Sequence, residues 1–177
     1  TGRSVFEMVR DMLGQVSKPF WFEHMQVIII SEAAVSRHGL NPLLDLFRRD
    51  AEMRWRNRIY ITPQEARKFL YFEPPTGEPG GIYLSNISKL YAKAPQIVGA
   101  STDLGATIVR IDNKADVILP AIELVDKQVK INSAAVFKKD KFVGYWDEYT
   151  VKGAKLLLGL EKSALIAFEC PLHPGAV

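Results

Sequence analysis

With 177 residues, 47% of them hydrophobic and 24% charged, the chain has the length and balance of one or two globular domains rather than of a disordered segment. Its 23 basic and 20 acidic side chains leave a net charge of +3, too even a mixture to mark the whole surface for a polyanion. The longest purely aliphatic run, Val27 to Ile30, falls far short of the roughly 20 residues needed to cross a bilayer, and the single cysteine, Cys170, has no internal disulfide partner.

Ser4-Val5-Phe6-Glu7 is a capping box, in which hydroxyl and carboxylate each satisfy a free amide of a helix's first turn. Val5, Met8, Val9, Met12, Leu13 and Val16 follow at offsets of three and four, so a helix with one apolar stripe is predicted, ending before Pro19. Residues 26–30 are short, branched and apolar, the pattern of a strand buried on both faces, and residues 32–37 read as a short helix closed by Gly39. Asn41-Pro42 signals a second helix start, and the helix is predicted to run to about Asn57 before a strand over 58–61. Thr62-Pro63-Gln64-Glu65 repeats the capping box and predicts a helix through Leu70.

Residues 73–81 hold three prolines and three glycines and are predicted to form a loop, followed by a helix over 82–92. Residues 95–99 read as a linker. Beyond it come three predicted strands, 117–124, 128–137 and 142–145, the last two joined by a hairpin connection at Lys138-Lys139-Asp140-Lys141 whose charge suits a tip facing water. A helix over 150–160 and a strand over 163–168 complete the reading. The fold class is therefore α+β, mixed helices and small sheets in two domains, 1–94 and 95–177, the second β-rich and incomplete.

The helix predicted over 43–57 carries an apolar stripe of Leu44, Phe47, Ala51 and Trp55, with Asp45, Arg49, Glu52 and Arg56 forming a ladder of alternating sign. Acid-first pairs at Asp45 to Arg49 and Asp50 to Arg54 each add a few tenths of a kcal/mol to such a helix. The ladder is either a solvated face that stabilises its own helix or a polar face presented to a partner protein. On the second reading Asp45, Arg49, Glu52 and Arg56 are the partner-interface candidates. Basic and aromatic residues mingle between Phe47 and Tyr60, among them Arg48, Arg49, Arg54, Trp55, Arg56 and Arg58, but Asp45, Asp50 and Glu52 lie within a turn of them and repel phosphate, which argues against nucleic acid.

His24, His38 and His173 are scattered, with no pair at metal-binding spacing, so no metal is expected. There is no Gly-x-Ser-x-Gly elbow, and Gly80-Gly81 lacks the spacing and lysine of a phosphate-binding loop. Cys170 lies in an apolar run and reads as structural. Glu23 and Glu32 could pair across the strand at 26–30 as acid and base. No catalytic, cofactor-binding or metal-binding residue is assigned.

The order of several blocks resembles the Ger(x)C family, the C-subunit lipoproteins of nutrient germinant receptors. The blocks are Gly2-Arg3-Ser4-Val5-Phe6-Glu7, His24 through Glu32, Leu44-Asp45 with Arg49 through Arg54, Leu119-Pro120-Ala121-Ile122, and Ala134 through Gly144. The resemblance implies an α+β protein of several domains, tethered by a lipidated N-terminal cysteine to the outer face of the spore inner membrane and assembled with membrane-embedded A and B subunits. Relative to that pattern the chain reads as a fragment without the lipid-bearing cysteine or the C-terminal domain. The expected role is a non-enzymatic receptor subunit acting through protein contacts, with no cofactor. The rivals are a nutrient-binding module with a pocket between its two domains, and a hydrolase of the spore envelope.

Overall fold

In a computed structural model, residues 5–13, 15, 22–49, 53–91, 103–157 and 159 are described. The elements in order are α1 (Val5–Leu13), β1 (Val27–Ser31), α2 (Glu32–His38), α3 (Leu40–Arg49), β2 (Arg58–Thr62), a 3-10 helix (Ala66–Tyr71), α4 (Gly80–Tyr91), α5 (Leu104–Asp112), β3 (Val117–Val125), β4 (Gln128–Lys138), β5 (Lys141–Trp146) and α6 (Glu148–Leu157). The strands form one mixed sheet in the order β1-β2-β3-β4-β5. Its first three strands are parallel, and β3, β4 and β5 are antiparallel neighbours.

Alternation along the strands gives the sheet two apolar faces. On one, Ile28, Ile30, Ile59, Ile61, Val117, Leu119, Ala135 and Phe137 meet Val35 of α2, Leu40 and Leu44 of α3, and Leu104, Ile108 and Ile111 of α5. On the other, Tyr60 and Ile122 pack with Phe69 and Leu84, while Ala134 packs with Val151 of α6. Helices thus cover both faces, but β1 is fully buried only on the face of Ile28 and Ile30, while Val27 and Ile29 on the other are half-buried, so the strand expected to be buried on both faces is not. Each fully buried Leu or Ile here contributes roughly 1.5–3 kcal/mol relative to exposure.

The α+β class holds, and four local expectations are corrected. First, α3 ends at Arg49 and the stretch at 53–57 closes as a turn, Asn57 N donating to Arg54 O at 3.0 Å, with the carbonyls of Trp55 and Asn57 accepting from Gly105 N and Leu104 N, each at 2.9 Å. Second, the box at Thr62-Pro63-Gln64-Glu65 does not form. Thr62 Oγ1 accepts from Gln64 N at 3.2 Å, Glu65 pairs with Arg67 at 3.1 Å, and Gln64 turns its side chain to β3, Nε2 donating to Leu124 O at 3.2 Å and Oε1 accepting from Leu124 N at 3.1 Å, so only a 3-10 helix follows.

Third, the tip of the β4–β5 hairpin is docked and does not merely face water. Asp140 O accepts from Leu40 N at 2.8 Å, and Asp116 Oδ1 accepts from Lys139 N at 3.0 Å. Asp140 also lies where a Cβ on Gly39 would be, 3.2 Å away, and Gly39 has φ of 76°, so glycine is demanded there twice over. Fourth, α5 stands where no helix was read. Strands from either side of residues 94 and 95 share the sheet, β2 and β3 being neighbours joined at Ile61 and Ala121. The strand expected over 163–168 and the Ser4 cap lie outside the described residues.

Candidate functional site

The interface candidates do not share one surface. Asp45 and Arg49 do: Arg49 Nε meets Asp45 Oδ1 at 2.9 Å on the solvent side of α3, the side chains 42% and 72% exposed for Asp45 and Arg49 respectively. Exposed pairs of this kind contribute only about 0.2–1 kcal/mol, which leaves both groups available to a partner. Next to them Arg48 reaches Asp112 of α5 at 2.9 Å and ties the two helices together. Arg56 belongs to the 53–57 turn instead, and Glu52 lies outside the described residues.

Arg56 is instead part of a cleft at the edge where β1 and β2 begin. The cleft has a volume of about 460 Å³, and its walls include Gln26, Arg54, Arg56, Asn57, Arg58, Ser85 and Asp103. Three elements hold it in place. Arg58 N donates to Gln26 O at 3.0 Å and sets the start of β2 beside that of β1. The turn is fastened to α5 by the two amides named above, and Gly105 permits that approach, a Cβ there standing 3.0 Å from Trp55 Cε3. Asp103 caps α5, its Oδ1 accepting from Ala106 N at 2.8 Å while its carbonyl accepts from Thr107 Oγ1 at 2.8 Å.

Arg58 shares a sheet face with Tyr60, two residues on, and so points toward the α4 side, where Tyr60 OH donates to Leu84 O at 2.8 Å next to the buried Ser85. Among the described residues, Arg54, Arg56 and Arg58 make no ion pair. Asn57 is 3% exposed, and its Nδ2 has no hydrogen-bond partner. Sequence reading missed the cleft because it assigned Arg54 and Arg56 to a helix. The available signal was the spacing of Arg54, Arg56 and Arg58 at every second residue into a strand, together with Asp103 as a helix cap 45 positions after Arg58.

The other candidates stay apart. Glu23 lies before β1 and Glu32 after it, at opposite ends of a strand roughly 16 Å long at about 3.3 Å per residue. Among the described residues no group of three His, Cys, Asp or Glu side chains could hold a metal. Cys170 and His173 lie outside those residues. Tyr145 has its hydroxyl buried without a hydrogen-bond partner. Burial first, and then the charge and hydrogen-bonding pull of the adjacent Glu32 carboxylate, which stands short of good bond geometry, push its phenol well above the ordinary range.

Residues 1–124 match the family model described as the spore germination protein N-terminal domain. The spore germination protein YndF of Bacillus subtilis (strain 168) is 24% identical over 168 residues, a span of 94% of this chain and 41% of that protein. The crystal structure of the GerBC protein superimposes with a TM-score of 0.64 at 16% identity, over 89% of this chain and 45% of that one. The chain thus spans less than half the length of either relative, and the likeness to GerBC is one of fold. No described helix is long and apolar enough to cross a membrane.

Proposed function

The chain belongs to the Ger(x)C family of spore germination proteins, and from that premise we propose that it is part of the C subunit of a nutrient germinant receptor, without catalytic activity of its own. The family match over residues 1–124 carries this reading. In it, the longer protein is held by a lipid anchor on the outer face of the spore inner membrane, and the folded part biases the assembled receptor through contacts with membrane-embedded A and B subunits. Nucleic acid has no part in it.

Asp45 and Arg49 are the contact residues the geometry favours, since their pair is exposed, adds little to stability and sits on a helix whose opposite side is locked into the core. Arg56 offers a second contact on the neighbouring turn, and Glu52 completes the proposed set. Charge reversal at both Asp45 and Arg49 in the full-length protein keeps the intrahelical pair and inverts the surface presented. Loss of copurification with the A and B subunits and of nutrient-triggered germination, at unchanged thermal stability, is the expected result. Full assembly and germination would reduce the pair to an ordinary helix face.

A further inference from the structure

We propose that the arginine-lined cleft at the start of β1 and β2 binds a small molecule through a carboxylate or phosphate group. Its charge is dominated by cations, three arginines against one aspartate in the described wall. Arg54, Arg56 and Arg58 bring three guanidinium groups from five consecutive residues, and none meets a carboxylate within ion-pair distance among the described residues. The one acid in the described wall, Asp103, already has Oδ1 engaged with Ala106 N. Positive charge left uncompensated in a concave site focuses its field on whatever enters, and planar guanidinium forks match the paired oxygens of a carboxylate or phosphate.

A second observation points the same way. Buried donors in folded proteins are nearly always paired, yet Asn57, in the same wall, keeps Nδ2 without a partner at 3% exposure. An acceptor oxygen lodged against the wall between Asn57 and the arginines supplies what that amide lacks. The backbone around it is braced on both sides, through Gln26 of the β1 edge and through Leu104 and Gly105 of α5, so the donors are arranged before a ligand arrives. A volume of about 460 Å³ falls within the range of small-molecule sites, roughly 300–1,000 Å³, and leaves no room for a nucleic-acid chain.

The cleft is walled by residues of the 1–94 stretch together with Asp103 and lies at one edge of the sheet. The proposal is independent of any contact with the A and B subunits.

The test is titration of the purified full chain with sodium phosphate and, separately, sodium succinate at constant ionic strength, with chloride as the control, followed by calorimetry and by the side-chain amide resonances of asparagine. The proposal expects saturable binding of at least one anion, a shift of the Asn57 side-chain resonance, and at least tenfold weaker binding in Arg54→Gln and in Arg56→Gln. Both side chains are exposed, so neither change threatens folding, and Arg37→Gln on the exposed side of α2 leaves binding unchanged. The anion that binds assigns the ligand class. Absence of saturable binding by both anions, or binding that ignores the cleft arginines and leaves Asn57 unmoved, overturns the proposal.

Discussion

A Cβ added to Gly105 would stand 3.0 Å from Cε3 of Trp55 and 3.4 Å from the Trp55 carbonyl oxygen, which already accepts a hydrogen bond from the Gly105 amide at 2.9 Å. This contact fixes where the arginine-bearing turn lies against α5. Gly105→Ala gains up to about 1 kcal/mol of helix propensity and loses about 1–3 kcal/mol to overpacking. A net loss of about 1 kcal/mol is expected in urea unfolding, with a displaced Trp55 indole resonance. A gain in stability would mean that the indole swings aside freely and that the turn is not pinned there.

Two tyrosines should answer the same change with opposite signs. Tyr60 is fully buried and donates to Leu84 O at 2.8 Å, so Tyr60→Phe deletes a buried hydrogen bond and should cost about 1–2 kcal/mol. Tyr145 has no hydrogen-bond partner for its buried hydroxyl, and Tyr145→Phe should be neutral or slightly stabilising. Denaturant midpoints of the two variants check the contrast. A loss at Tyr145 as large as that at Tyr60 would show that Glu32 or another group closes a bond to it.

Gln64 holds the start of the chain's second half to the first through two bonds with the backbone of Leu124. Gln64→Ala leaves a donor and an acceptor of β3 unmatched and should cost about 1–3 kcal/mol. Gln64→Glu keeps the acceptor but sets a carboxylate against Leu124 O, and should be at least as damaging above the carboxylate pKa and milder below it. Chemical denaturation at neutral and mildly acidic pH separates these outcomes.

Much of the fold was legible because its signals are local. The apolar run of β1, the positive-φ glycine after α2, and the strands of the β3–β5 meander are all stated by neighbours in sequence. What was not legible depends on partners far along the chain. Ala51 and Trp55 continue the stripe of α3 at a spacing of four, so nothing nearby shows that α5 draws the carbonyls of Trp55 and Asn57 away. Gln64 completes a capping pattern yet bonds 60 residues away. The helix α5 was not read because Gly105 and the β-branched residues Thr107, Ile108, Val109 and Ile111 lower its helix propensity. Its cap at Asp103 and the buried spacing of Leu104, Thr107, Ile108 and Ile111 were the readable clues. The arginine cleft shared that fate, because its walls come from four separated stretches of chain.

Acid should loosen α6 first at its N-terminus. Hydrogen bonds from Thr150, through its side chain and through its amide at 2.8 Å, hold the Asp147 carboxyl below its usual value of 3.8. A carboxyl depressed in the folded state contributes stability that is complete above the unfolded pKa and is lost as pH falls through the lower, folded one. Hydrogen-exchange protection of the Thr150 amide should therefore be constant above about pH 5 and decline below the value of 3.8. In Asp147→Asn, which keeps an acceptor and cannot titrate, that decline should vanish. An unchanged decline in the variant would assign the acid sensitivity to another group.

The central claim is that this family member serves nutrient sensing in a spore receptor. The most direct measurement is dipicolinic acid release from spores that lack the full-length gene, in a strain without redundant receptors, triggered by nutrients and, as a control, by a non-nutrient germinant. Loss of the nutrient response with an intact control response, restored by the full-length wild-type gene, is the predicted result. A normal nutrient response in those spores would contradict the account.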